Sequence, residues 1–318
     1  MPNNQLIRDH GTIDYEAGAT KEIDLPRSHY FERLNLVNNW TVTSDGSDDE
    51  NGNGILDLID RVEIQFNGSS TLKSTDFATS HFADWYDYGT RPLYDAVDHT
   101  SASQQSGTQQ TFIDFLLAPG QYGALLPAFA FSDLTLKVKW GTAASVGGDI
   151  TSVDSASVSV QSKERRKNTV ANPPQVTTSD IVDNLLGFKE RQRTVPLDYD
   201  GVHTVDLPRG NTYYAIGVQV LDGDAPDNDL IQGVEIVENG VETHKSTTFD
   251  LARAKDKQEF NVEGQPDGFI MLDYGRRGDT DDVVSSRGMD DFELKLDTDG
   301  TKPTDPAEAR VVTREIVQ

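Results

Sequence analysis

The chain has 318 residues, a quarter of them charged, with 53 Asp and Glu against 28 Lys and Arg and a formal net charge of −25. Such a field repels nucleic acid and anionic membranes, which excludes a non-specific polyanion binder, and it suits either a high-salt habitat or simply an acidic soluble surface. There is no cysteine, so disulfide scaffolds, thiolate zinc sites and cysteine nucleophiles are excluded.

In chain order, MPNNQLIRDHG lacks the apolar core of a secretory signal, and synthesis in the cytoplasm without a signal peptide is expected. IDYEAG (13–18) and IDLPR (23–27) lead to an acidic loop, DENGNGILDLID (49–60), and then to Val62-Glu63-Ile64-Gln65-Phe66, whose alternation marks a half-buried strand. Asn67-Gly68 ends that strand as a hairpin turn. The apolar run FLLAPGQYGALLPAFAF (115–131) is broken by Pro119, Gly120, Gly123 and Pro127, so no transmembrane helix is expected there. Leu134-Thr135-Leu136-Lys137-Val138 alternates again. A basic connector follows over 161–193, with Pro173-Pro174 and the best helix signal of the chain, SDIVDNLLGFKER, N-capped by Ser179.

Beyond the connector the first part returns. IDLPR reappears as VDLPR (205–209), RVEIQFNGSSTLKSTDF (61–77) as GVEIVENGVETHKSTTF (233–249), and DLTLKV (133–138) as DFELKL (291–296). FID (112–114) is matched to FIM (269–271), and IDYEAG to LDYDG (197–201). Five matches in one order indicate duplication. The first copy carries extra length around the acidic loop and within ATSHFADWYDYGTRPLYDAVDHTSASQQSGTQQ, the signature of loop insertions. Each copy has room for about eight strands, with excursions too long for a meander. The expectation is an all-β chain of two tandem jelly-roll β-sandwiches: an N-terminal jelly roll over 1–160, a helix-bearing connector over 161–194, and a C-terminal jelly roll with a polar tail over 195–318.

The acidic loop fits the calcium-loop template, with Asp49, Asn51, Asn53, Asp57 and Asp60 as side-chain ligands, Ile55 offering its carbonyl, and Gly54 at the sharp turn. Strands flank it, so a static calcium clamp is expected rather than a helical sensor; an exposed acidic turn is the alternative. LDGDAPDNDLIQG (221–233) is acidic but lacks the glycine of that template, and RRGDTDD (276–282) reads as a solvated turn. Histidines 10, 29, 81, 99, 203 and 244 show no metal spacing, and no nucleophile-elbow, phosphate-loop or zincin motif occurs. No catalytic residue is expected. The aromatic cluster His81-Phe82-Ala83-Asp84-Trp85-Tyr86-Asp87-Tyr88 is read as packing or a subunit contact, with a sugar groove as the alternative.

Taken together, the tandem pattern of LPR, strand, VEI and Asn-Gly, the Phe-Ile and D-x-x-L-K markers and the helix-bearing connector resemble the double jelly-roll major capsid proteins of membrane-containing icosahedral viruses. The likeness is to the corticovirus type, over about residues 12–300. It implies a homotrimer with six jelly rolls forming a pseudo-hexagonal capsomer, neighbouring capsomers and a vertex protein as partners, and residence in the virion. It also lets Lys163, Arg165, Arg166, Lys167, Lys189, Arg191 and Arg193 of the connector face the internal viral membrane; pairing with acidic residues of neighbouring subunits is the alternative. A tandem carbohydrate-binding or lectin-like β-sandwich is the competing reading, and a glycoside hydrolase a further one.

Overall fold

The computed structural model describes residues 5–115, 125–166, 187–223, 225–240, 242–260, 262, 264–275, 283–298, 303 and 306–317. The chain divides into two compact units, one of residues 1–84, 92–190 and 317–318, the other of residues 85–91 and 191–316.

The first unit holds β1 (Gln5–Asp14), β2 (Thr20–Asp24), β3 (Tyr30–Ser44), β4 (Ile59–Phe66), β5 (Ser70–Thr75), most of α1 (Phe77–Tyr88), β6 (Gln104–Asp114), β7 (Leu126–Pro127), β8 (Leu134–Trp140), α2 (Ala143–Val146) and β9 (Ile150–Arg165). One antiparallel sheet runs β1-β9-β3-β6 and a second contains β5-β4-β8-β2. That order, in which strands distant in sequence lie side by side, is the jelly-roll double Greek key. Alternation explains which sides meet. Leu34, Leu36, Trp40 and Val42 of β3 are buried, as are Val62, Ile64 and Phe66 of β4 and Leu134, Leu136, Val138 and Trp140 of β8. Each such side chain contributes about 1.5–3 kcal/mol by leaving water.

The second unit holds most of β10 (Gly187–Pro196), then β11 (Val202–Asp206), β12 (Thr212–Asp222), β13 (Ala225–Pro226), β14 (Gly233–Glu238), β15 (Glu242–Thr248), α3 (Phe249–Phe260), β16 (Phe269–Asp273), β17 (Val284–Ser285), β18 (Phe292–Asp297) and most of β19 (Ala307–Val317). Its sheets run β10-β19-β12-β16 and β11-β18-β14-β15, the order of the first unit again. Its core collects Val205, Leu207, Tyr213, Ile216, Val218 and Val220 against Val234, Ile236, Phe292, Leu294 and Leu296.

The duplication extends to irregularities. The β3–β9 ladder shifts register between Phe31 and Arg33, and the β12–β19 ladder between Tyr213 and Ala215. Leu34 lies opposite Ile113, and Ile216 opposite Leu272. This pairing corrects one match made from sequence: the counterpart of Phe112-Ile113-Asp114 is Met271-Leu272-Asp273, two residues beyond FIM. A slip of two preserves the alternation of faces, so side-chain pattern alone could not detect it. The helix expected from Ser179 lies outside the described residues as far as 186, and from Gly187 the chain is strand. The two longest described helices, α1 and α3, carried no helix expectation.

Candidate functional site

The repeated motifs act as clamps. In each unit the Arg of LPR donates to the backbone carbonyl just before a core strand, Arg27 to Ser132 O and Arg209 to Asp290 O. The Asn of each Asn-Gly turn has positive φ, +50° at Asn67 and +51° at Asn239, a conformation that Asn tolerates better than most residues. Each also accepts through Oδ1 from the backbone of the same segment, Ser132 N at 2.8 Å and Asp290 N at 2.6 Å. The Asp or Thr before the helical Phe is an N-cap: Thr79 N donates to Asp76 Oδ1 at 2.6 Å, and Leu251 N to Thr248 Oγ1 at 3.2 Å.

The helices so capped seal an edge strand. On α1, His81 Nδ1 lies 2.7 Å from Gln110 O and therefore donates, while Asp84 Oδ2 accepts from Phe112 N and Thr111 Oγ1, both at 2.6 Å. On α3, Arg253 donates to Phe269 O at 3.4 Å and Asp256 accepts from Met271 N at 2.9 Å. A strand edge that would otherwise present open donors and acceptors is occupied in both units. The cluster around Trp85 is thus a helix, and its polar members serve the scaffold. Asp256 is 3% exposed, and burial raises its carboxyl to about 7, against the opposing pull of the Met271 N–H and Lys245. Burial also lowers Lys245 and raises Tyr274, whose ring lies 5.2 Å from Lys245 Nζ.

The residues of the acidic loop are placed as follows. Asp49 accepts Gly148 N on its backbone oxygen at 2.7 Å, and Asn51 reaches Ala144 O at 2.8 Å. Asn53 donates from its backbone to Asp57 Oδ2 at 2.9 Å and from its side chain to Asp57 Oδ1 at 3.2 Å. Ile55 is buried, within a 3-10 turn over Gly54–Leu58, and Asp60 is paired with Lys139. Asn53 and Asp57 come together; Asp60 is directed to a different strand. Among the described residues no three His, Asp or Glu side chains group as a metal cluster.

Beside the loop lies a buried network that the sequence did not suggest. Asp149, fully buried, accepts from Ser44 Oγ at 2.5 Å and from His99 Nδ1 at 2.7 Å, while His99 Nε2 stands 3.8 Å from Glu50 Oε1. Ser44 donates to the acid rather than to the imidazole, so the trio lacks an activated nucleophile. It fixes the loop ends instead. The acidic stretch after β12 is likewise self-satisfied: Asp227 Oδ1 accepts Asp229 N and Leu230 N, and Asn228 bridges Asp267 and Gly268. Of the connector cations, Lys163 and Arg165 both meet the buried Glu32, and Arg193 donates to Asp206 O. Lys167 and RRGDTDD fall outside the described residues.

The outward face of β9-β3-β6 has a different character. Asn35, Val37, Asn39 and Thr41 of β3 stand in register with Gln161, Ser159, Ser157 and Ser155 of β9 and with Phe112, Gln110, Thr108 and Ser106 of β6. These twelve positions are exposed or half-buried and none is charged, in a chain where a quarter of residues are. Cross-strand bonds join them: Gln110 to Asn35 at 2.7 Å, Thr108 to Asn39 at 3.1 Å, and Thr41 with Ser106 at 2.9 Å. Arg33 paired with Asp114 bounds one end, and Asp154 the other. An open trough of about 720 Å³ runs past Asn39, Thr41 and Ser155, with Asp14 and Asp154 also in its lining.

No protein-family model and no curated protein matches the sequence. Solved structures do match. The major capsid protein of Sulfolobus turreted icosahedral virus aligns with a TM-score of 0.75 at 15% identity, covering 99% of this chain and 97% of that one. The major capsid protein P2 of bacteriophage PM2 aligns at 0.65 with 14% identity, covering 99% and 98%. The capsid protein of PBCV-1 aligns at 0.64 with 11% identity, covering 98% and 95%. The fold of this chain, end to end, is the double jelly roll of those viral capsid proteins.

Proposed function

We propose that the chain is the major capsid protein of an icosahedral virus, assembling as a homotrimer whose capsomers tile a shell over an internal membrane. The observation that carries the reading is coverage: both jelly rolls align in one chain, over nearly the full length of this protein and of the matched capsid proteins. Two similar sandwiches per chain give a threefold ring six near-equivalent sides, so hexagonal packing follows from a single gene product. Clamped turns and sealed edge strands suit a subunit whose work is to hold shape. The basic ends of the connector are the elements proposed to face the membrane, and the acidic loop is the place proposed for calcium. The carbohydrate-binding alternative gains no support from the matched structures. Electron microscopy of the purified, concentrated protein tests the reading. Pseudo-hexagonal particles or sheets of them are expected, and dispersed single chains at every concentration and salt would overturn it.

A further inference from the structure

We infer that the uncharged outward face of β9-β3-β6 in the first unit is a surface on which a second copy of this chain sits, an inference that rests on the capsid reading. The duplication supplies the first argument. The equivalent face in the second unit is closed. Gly217, Phe269, Met271 and Val312 hold the positions of Asn35, Gln110, Phe112 and Gln161, and Phe269, Met271 and Val312 are at most 2% exposed. Their cover includes residues of the 85–91 segment: Tyr86 is fully buried, its ring 5.2 Å from that of Phe269 and its hydroxyl donating to Phe269 O, and Asp87 pairs with Arg314 at 2.8 Å. One fold, used twice, thus has this face covered in one unit and open in the other.

Charge supplies the second argument and selects the occupant. Two chains of net charge −25 repel wherever carboxylates face each other, and the centres of protein interfaces are depleted of charge. The twelve positions of the open face meet both conditions, with Asp14 and Asp154 at their margin. Its β3 and β6 amides and hydroxyls already bond to one another, so covering them strands few polar groups, yet with the β9 serines and Gln161 they keep the subunit soluble until assembly. In plan the patch measures roughly 300 Å², from three strands about 4.8 Å apart and seven residues at about 3.3 Å each. A stable interface needs about 800 Å² per partner, so the patch forms the centre of a larger contact.

A unique thiol tests the inference, since the chain has no cysteine. Asn39→Cys in the full-length protein is labelled with a maleimide in the assembled state and after dilution to monomer. Labelling at least tenfold slower in the assembly is expected; equal rates would overturn the assignment. Asn39→Glu with Thr41→Glu provides the second arm. The pair should weaken self-association at least tenfold by sedimentation velocity with the thermal midpoint unchanged, and unaltered association would overturn it. If Asn39→Cys assembles while its thiol stays reactive, only the present inference falls. A wild type that never leaves the monomer removes the capsid reading as well.

Discussion

Asp84 and Asp256 occupy the same place in two copies of one contact: each sits in the third turn of a helix and accepts a backbone N–H from the edge strand beneath it, Phe112 at 2.6 Å and Met271 at 2.9 Å. His81 and Arg253, three residues earlier on each helix, donate to the carbonyls two residues before those N–H groups. A helix whose acid and base straddle one strand edge therefore recurs, although one base is an imidazole and the other a guanidinium. Replacing either acid by Ala leaves an N–H, half-buried at Phe112 and buried at Met271, without its acceptor, which costs about 1–3 kcal/mol. Urea unfolding of Asp84→Ala and Asp256→Ala should each show a loss of that order. A change under about 0.5 kcal/mol in either would contradict the shared role.

Asp256 should make stability depend on pH. The Asp256 carboxyl is raised by burial to about 7 in the fold, against an unfolded value of about 3.9. Its contribution to stability is therefore complete below about pH 4 and declines as pH rises through 7. Between pH 5 and 8 the expected loss is on the order of 2 kcal/mol. Asp256→Asn should flatten that decline, measured by urea unfolding at both pH values. The nearby Lys245, lowered by burial, acts in the opposite sense, so the Asn variant and not the wild type alone isolates the acid. An identical slope in both proteins would contradict the assignment.

At the hairpin turns, Asn67 and Asn239 combine a left-handed backbone with an Oδ1 acceptor. Gly keeps the first property and loses the second, whereas Ala loses both. The expected order of stability is Asn above Gly above Ala at each site, with Ala about 1–3 kcal/mol below wild type. Thermal unfolding of the four variants checks it; Ala equal to Gly would show that the backbone conformation carries no cost here.

In the acidic loop, Asp57 accepts from the Asn53 backbone and side chain. Asp57→Ala should lower stability by about 1–2 kcal/mol in chelator as well as in calcium, because it removes the acceptor of both Asn53 bonds. Calorimetry with calcium on wild type and Asp49→Ala tests the ion itself. Heats that differ between the two would establish Asp49 as part of a calcium site; a loss in Asp57→Ala confined to calcium buffer would show that the loop is organised by the ion.

Much of the fold was legible because duplication wrote it twice. LPR, Asn-Gly and the alternating strands were visible as repeats, and the clamps of Arg27 with Asn67 and of Arg209 with Asn239 explain why those residues reappear. The helices were harder. α1 was met as aromatic residues inside an apparent insertion, and α3 carries its apolar contacts on Phe249, Ala252 and Phe260 within a charged run. The pair His81 and Arg253 shares a role and not a residue type, so comparison of letters passes over it. The Asp149–His99–Ser44 network joins three distant segments and leaves no local signature. The uncharged face is spread over three strands that the sequence separates, and the β3–β9–β6 register was needed to assemble it.

The proposed homotrimer is open to a direct measurement of mass. Sedimentation equilibrium of the purified protein across a range of concentration and salt addresses it most directly. A species with the mass of three 35.0 kDa chains is expected, favoured as salt screens the net charge of −25. A single-chain mass at every concentration and salt would contradict it.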